Sequence, residues 1–150
     1  MDLDDLDRRL INAIQSDFPL AQRPYQVIAG RLGLSEDDVL TRISRLKERG
    51  VIRRIGANFV PEKLGYVSTL CAARVPEEDL PLFARTVNAY SGVTHNYIRE
   101  NHFNVWFTFI APSLETIDRN LAEISRQTGI KEIFNLPATA VFKIRAEFNL

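Results

Sequence analysis

At 150 residues the chain allows one medium domain or two small ones with a real core, and 19 basic against 19 acidic side chains leave no global field to draw it to nucleic acid or an anionic membrane. Its single cysteine, Cys71, excludes an internal disulfide and any cysteine cluster for zinc or iron–sulfur, and reads as a small buried apolar residue in a strand. No stretch approaches the roughly 20 apolar residues of a membrane span, and Met1-Asp2-Leu3-Asp4-Asp5 is acidic where a signal peptide is basic, which predicts a soluble, cytoplasmic protein.

Leu3, Leu6, Leu10, Ala13 and Ile14 recur at helical spacing until Asp17 and Pro19. Pro24 suits a first helical turn, and Val27, Ile28 and Leu32 give a short apolar stripe ended by Gly33-Leu34-Ser35. Ser35 caps a third helix, with Asp38 completing a capping-box-like pair and Val39, Ile43 and Leu46 on one face up to Gly50. This is a helix-turn-helix in a three-helix unit. Val51 to Phe59 reads as a wing or linking strand, ended near Pro61 and Gly65.

The second half changes character. Tyr66 to Val75 is strand-like; Leu80, Phe83, Val87 and Tyr90 are helical in spacing; Val93 to Arg99 and Asn104 to Ile110 form two strands joined by a turn. A helix follows with Leu114, Ile117, Leu121 and Ile124 on its buried face, capped by Ser113 and stopped at Gly129. Ile130 to Leu136 makes a fourth strand, and the alternation from Phe142 to Phe148 predicts a fifth. The order predicts an α+β chain: residues 1–64 as a helix-turn-helix domain with its linking strand, and residues 65–150 as a ferredoxin-like βαββαβ domain for ligand binding and dimerisation.

A helix-turn-helix ordinarily places the start of its second helix against base edges. Here that start is Ser35-Glu36-Asp37-Asp38, whose carboxylates oppose docking on phosphates, and the basic stripe Arg42, Arg45, Arg49 lies farther along. Residues 1–64 carry 11 basic and 10 acidic side chains, far from a basic footprint, so no specific DNA binding is expected. The acidic start also suits the helix dipole on its own.

The segment from His95 to Phe107 holds both histidines and the only tryptophan. With period two, Val93, His95, Tyr97 and Arg99 share one strand face, and Thr94, Asn96 and Ile98 the other. Imidazole, phenol and guanidinium in line can donate protons and hold carboxylates; the bland reading is an edge strand blunted by polar residues. His95 and His102 lack a carboxylate or cysteine at metal-ligand spacing, so no zinc site made by the protein alone is expected. As acid–base groups they are better placed, because an unperturbed imidazole titrates near physiological pH. Trp106, among Val105, Phe107 and Phe109, suits packing, and its indole can also stack on a flat ligand. Arg53 and Arg54 alternate in direction, so one can face a cleft while the other faces solvent; the solvated reading also covers Lys143 and Arg145.

The pattern Gly33-Leu34-Ser35, Val39, Arg42-Ile43, Leu46 and Gly50-Val51-Ile52, with the ferredoxin-like half, resembles the Lrp/AsnC regulators over nearly the whole chain. Between the second and third strands those regulators have a glycine followed by acidic residues and tyrosine near the effector site; here the stretch reads Glu100 to Trp106, a departure from an amino-acid effector site. Arg53-Arg54-Ile55-Gly56-Ala57, His95-Asn96-Tyr97 with Arg99, His102 followed by Asn104 and Trp106-Phe107-Thr108, and Val141 to Ile144 are instead similar to the sirohaem decarboxylase subunits, an enzymatic offshoot of that fold. The resemblance implies a carboxy-lyase that removes two acetate carboxylates from sirohaem to give didecarboxysirohaem for alternative haem or haem d1 synthesis, with no required cofactor and the iron tetrapyrrole as substrate. It implies His95 and His102 as catalytic residues, one donating the proton and the other able to serve as axial ligand to the substrate iron, without assigning which. Arg53, Arg54, Tyr97, Arg99, Asn104 and Trp106 are the implied substrate contacts, and a homologous second subunit the implied partner. The other reading is a DNA-binding regulator that senses a small molecule or tetrapyrrole.

Overall fold

The computed structural model describes residues 3–143 with Phe148 and Leu150. The chain divides into two compact units, Met1–Ala57 with Lys143–Leu150, and Asn58–Phe142, whereas the sequence reading drew its boundary between residues 64 and 65.

The first unit is three helices: α1 (Asp5–Ser16), α2 (Pro24–Leu32) and α3 (Glu36–Glu48). Each begins where its local chemistry supplies a start. Asp4 caps α1 by accepting from the Asp7 N–H at 2.7 Å, and Pro24 opens α2 where a missing N–H costs nothing. Ser35 and Asp38 form a reciprocal capping box at α3, the Asp38 N–H donating to Ser35 Oγ and the Ser35 N–H to the Asp38 carboxylate. Leu10, Ile28, Val39, Ile43 and Leu46 meet as the core. One acid is buried with them: Asp7, 1% exposed, receives Arg42 at 2.7 Å and Arg45 at 2.6 and 2.7 Å.

The expected linking strand over Val51–Phe59 does not form. Val51 and Ile52 both donate their N–H groups to the Leu46 carbonyl at the end of α3, and no strand among the described residues of this unit offers a ladder. Alternation alone cannot supply a pairing partner.

The second unit holds β1 (Val67–Ala73), α4 (Leu80–Asn88), β2 (Val93–Ile98), β3 (Val105–Ala111), α5 (Leu114–Thr128) and β4 (Ile133–Leu136). The strands pair antiparallel in the order β2-β3-β1-β4, the ferredoxin-like arrangement. Along β3, Val105, Phe107, Phe109 and Ala111 are buried in alternation and pack with Phe83 and Val87 of α4 and Ile117, Leu121 and Ile124 of α5. Gly92 fits where no other residue would, because a Cβ there would lie 2.1 Å from the Ile110 carbonyl oxygen, whose own N–H donates to the Gly92 carbonyl. The fifth strand expected over Phe142–Phe148 falls, at residues 144–147, outside the described residues.

The other sheet face carries exposed apolar side chains. Leu70, Phe134 and Leu136 are each more than two-fifths exposed, and Tyr97 half exposed.

Candidate active site

A β-bulge decides which way β2 presents its side chains. Val93 pairs with Phe109 but His95 pairs with Thr108, so one residue is inserted between them and the alternation slips. Val93 therefore packs on the core, while His95 and Tyr97 stand opposite Thr108 and Trp106 on the open face. This corrects the expectation that Val93 shares a face with His95, Tyr97 and Arg99; a bulge is invisible to strict period-two reading.

On that face the His95 and Tyr97 rings stack, with centroids 6.0 Å apart and planes 25° from parallel. Thr94 Oγ1 lies 3.0 Å from His95 Nδ1, which leaves Nε2 for chemistry. If the hydroxyl donates to Nδ1, the neutral ring carries its proton on Nε2; if Nδ1–H donates to the hydroxyl, Nε2 offers a lone pair able to ligate a metal. Next to Tyr97, the Trp106 indole N–H is committed to the Phe103 carbonyl at 2.7 Å, which fixes the ring.

His102 lies in the turn between β2 and β3, in a different setting. Its Nε2 is 3.8 Å from a Glu132 carboxylate oxygen, and its ring meets Phe103 edge-on, which in turn meets Phe134. An open cleft of about 500 Å³ runs beside it, lined among others by Arg74, Asn101, Lys131 and Glu132. Arg74 also reaches Glu132, at 3.5 Å.

Asn104 is committed to the fold: its Oδ1 accepts from the Val75 N–H at 2.9 Å and its Nδ2 donates to the Val75 carbonyl at 2.7 Å, tying the start of β3 to the chain beyond β1. Arg99 extends the β2–β3 ladder, its N–H donating to the Asn104 carbonyl at 2.8 Å. Arg53 and Arg54 belong to the first unit, where with Ile11, Ile14, Phe18 and Leu20 they line a largely apolar groove of about 610 Å³.

The structure thus gathers His95, Tyr97 and Trp106 on one sheet face and sets His102 in the cleft at the turn. Sequence reasoning missed Thr94, Arg74, Lys131 and Glu132 as neighbours of the histidines. For Arg74 and Glu132 no sequence signal existed, since only the pairing of β1 with β4 brings them together. Among the described residues, no group of three or more His, Cys, Asp or Glu is arranged to hold a metal ion.

Residues 7–53 match the family model described as the siroheme decarboxylase NirDL-like HTH domain, and residues 63–143 match the AsnC-like ligand binding domain. The siroheme decarboxylase alpha subunit of Desulfovibrio desulfuricans is 52% identical over 149 residues, covering 99% of this chain and 86% of the relative. The crystal structure of the siroheme decarboxylase NirDL superposes with a TM-score of 0.69 at 33% identity, covering 97% of this chain and 48% of that one. The same enzyme in complex with an iron-uroporphyrin III analogue gives 0.67 at 31%, covering 95% and 48%. The chain thus spans about half of the NirDL polypeptide and nearly all of the alpha subunit. With both halves matched and identity running through the whole length, the chain belongs to the siroheme decarboxylase family.

Proposed function

We propose that this chain is one subunit of a sirohaem decarboxylase that removes two acetate carboxylates from sirohaem, giving didecarboxysirohaem. The observation that carries the reading is the 52% identity over 99% of the chain to a siroheme decarboxylase alpha subunit. In each step the bond between the acetate methylene and its carboxylate breaks, CO₂ leaves, and the electron pair stays on the methylene carbon, where the conjugated macrocycle spreads it. One proton then converts the methylene into a methyl group. No oxidant or reductant enters the balance, so no cofactor is needed.

His102 is the proposed proton donor, because its imidazole lines the open cleft beside the start of β4, within reach of a substrate held there. His95 is the proposed ring-facing histidine, with Nε2 free on an aromatic face whose Tyr97 and Trp106 can lie against a flat macrocycle and whose imidazole can ligate its iron. Arg99, Arg53 and Arg54 are proposed to hold peripheral carboxylates. Asn104 contributes by fixing the turn that carries His102 rather than through its own amide, which Val75 occupies. The protein is proposed to act with a homologous second subunit, in the cytoplasm.

The regulator reading finds less support. Arg42 is held by Asp4 and Asp7, and Arg45 by Asp7, so two of the three arginines of the basic stripe are paired with acids of α1 and its cap, while Glu36, Asp37 and Asp38 occupy the first turn of α3.

Anaerobic incubation of sirohaem with this chain, alone and with a co-encoded homologue, tests the proposal. Mass analysis is expected to show loss of two CO₂ with the pair. Unchanged sirohaem in the paired reaction, together with nanomolar binding to a defined DNA operator, would overturn the enzyme in favour of the regulator.

A further inference from the structure

We propose that Arg74 and Lys131 form a clamp for one non-reacting carboxylate at the rim of the tetrapyrrole, and that Glu132 occupies this subsite until the substrate displaces it. This rests on the decarboxylase reading and adds to it the residues that choose which rim groups are held.

Arg74 follows the last residue of β1, and Lys131 and Glu132 precede the first of β4. The Arg74 N–H donates to the Glu132 carbonyl at 3.0 Å, so the backbones that bear these side chains are tied to one another beside the cleft. The cleft is cationic: its lining includes Arg74 and Lys131 against one acid, Glu132, with His102 beside that acid. That acid reaches both neighbours only loosely, at 3.5 Å to Arg74 and 3.8 Å to His102, and so marks where a carboxylate sits between them. A guanidinium has five donors in a planar fork, and Arg74, whose side chain is 55% exposed, contacts Glu132 through a single Nη1. Lys131 makes no ion pair among the described residues. A substrate carboxylate that takes the fork bidentately and also meets Lys131 gains contacts that Glu132 does not make.

The clamped group is not the one that leaves. A departing carboxylate loses its charge on the way to CO₂, so cations gripping it would favour the bound reactant over the transition state and slow the step. Gripping its neighbour on the rim costs nothing and delivers the reacting acetate to the His102 side of the cleft.

The test is a visible-absorption titration of the assembled protein with iron-uroporphyrin III, which carries acetate and propionate carboxylates. Arg74→Ala and Lys131→Ala are each expected to weaken binding by ~10-fold or more, the scale of a lost charge-assisted hydrogen bond. Glu132→Gln is expected to tighten it, because a neutral amide competes less for Arg74; opposite signs from neighbouring substitutions do not arise from misfolding. Wild-type affinity in both cation variants would overturn the clamp alone, and weaker binding by Glu132→Gln would overturn its displacement by substrate. If the wild-type assembly binds no iron tetrapyrrole, the sirohaem reading itself falls and the clamp with it.

Discussion

At the scale of single residues, the two histidines differ in what surrounds them, and that difference predicts different losses. His102 has a carboxylate beside Nε2, whereas His95 has a hydroxyl at Nδ1 and a stacked phenol. Replacing a general acid by alanine lowers turnover by about 10²-fold or more while leaving binding largely intact. His102→Ala is expected to behave so in the assembled enzyme. His95→Ala is expected instead to weaken tetrapyrrole binding and shift the iron-sensitive absorption bands, the signature of a lost axial contact. Exchange of these two phenotypes would reverse the assignment, and wild-type turnover and spectra in both would place the chemistry elsewhere. The sequence brought both histidines to attention because polar residues in a strand have no packing explanation. It could not separate them, since Glu132 lies 30 positions away from His102 along the chain and joins it only through the sheet.

At the scale of an element, α3 shows how much of a helix is written locally. Ser35, Asp38, the apolar spacing of Val39, Ile43 and Leu46, and the stop at Gly50 all lie within one stretch, and the helix forms where they place it. The cap also sets a pH dependence. Hydrogen bonds from the Ser35 hydroxyl and then the Ser35 backbone N–H hold the Asp38 carboxyl below its ordinary value of 3.8. A depressed carboxylate contributes stability that is present above the ordinary value and is lost as pH falls through the lowered one. Asp38→Ala is therefore expected to melt at lower temperature than wild type at neutral pH, with the gap narrowing as pH drops below the ordinary value. A gap that persists unchanged in acid would show that the box is not the source. Beside α3, the segment Val51–Phe59 is the counterexample: it has the composition of a strand, but its first two N–H groups turn back to Leu46.

At the scale of the whole molecule, the sheet of the second unit has helices on one face and exposed Leu70, Phe134 and Leu136 on the other. Contiguous apolar side chains on an open sheet face mark an interaction surface. The name of the alpha subunit to which this chain is 52% identical points to a multi-subunit enzyme. Leu70→Asp and Phe134→Asp are expected to weaken assembly with the second subunit while leaving the monomer folded, because both residues are already two-fifths or more exposed. Sedimentation of variant and wild-type mixtures reads this directly. Undiminished assembly in both variants would move the interface off this face.

The sequence by itself determined the helix starts and stops, the order of strands and helices from β1 to β4, and the two histidines with their aromatic neighbours. These are set by capping chemistry and by periods of 3.6 and 2 that act within a few residues. Tertiary structure alone decided the rest, because it depends on partners distant in sequence. The bulge that turns His95 away from Val93 exists only against β3. Asn104 becomes a structural tie only because Val75 is there to receive it. Arg74 and Glu132 meet beside His102 only because β4 pairs with β1, and Asp7 is tolerated in a core only because two arginines of another helix reach it.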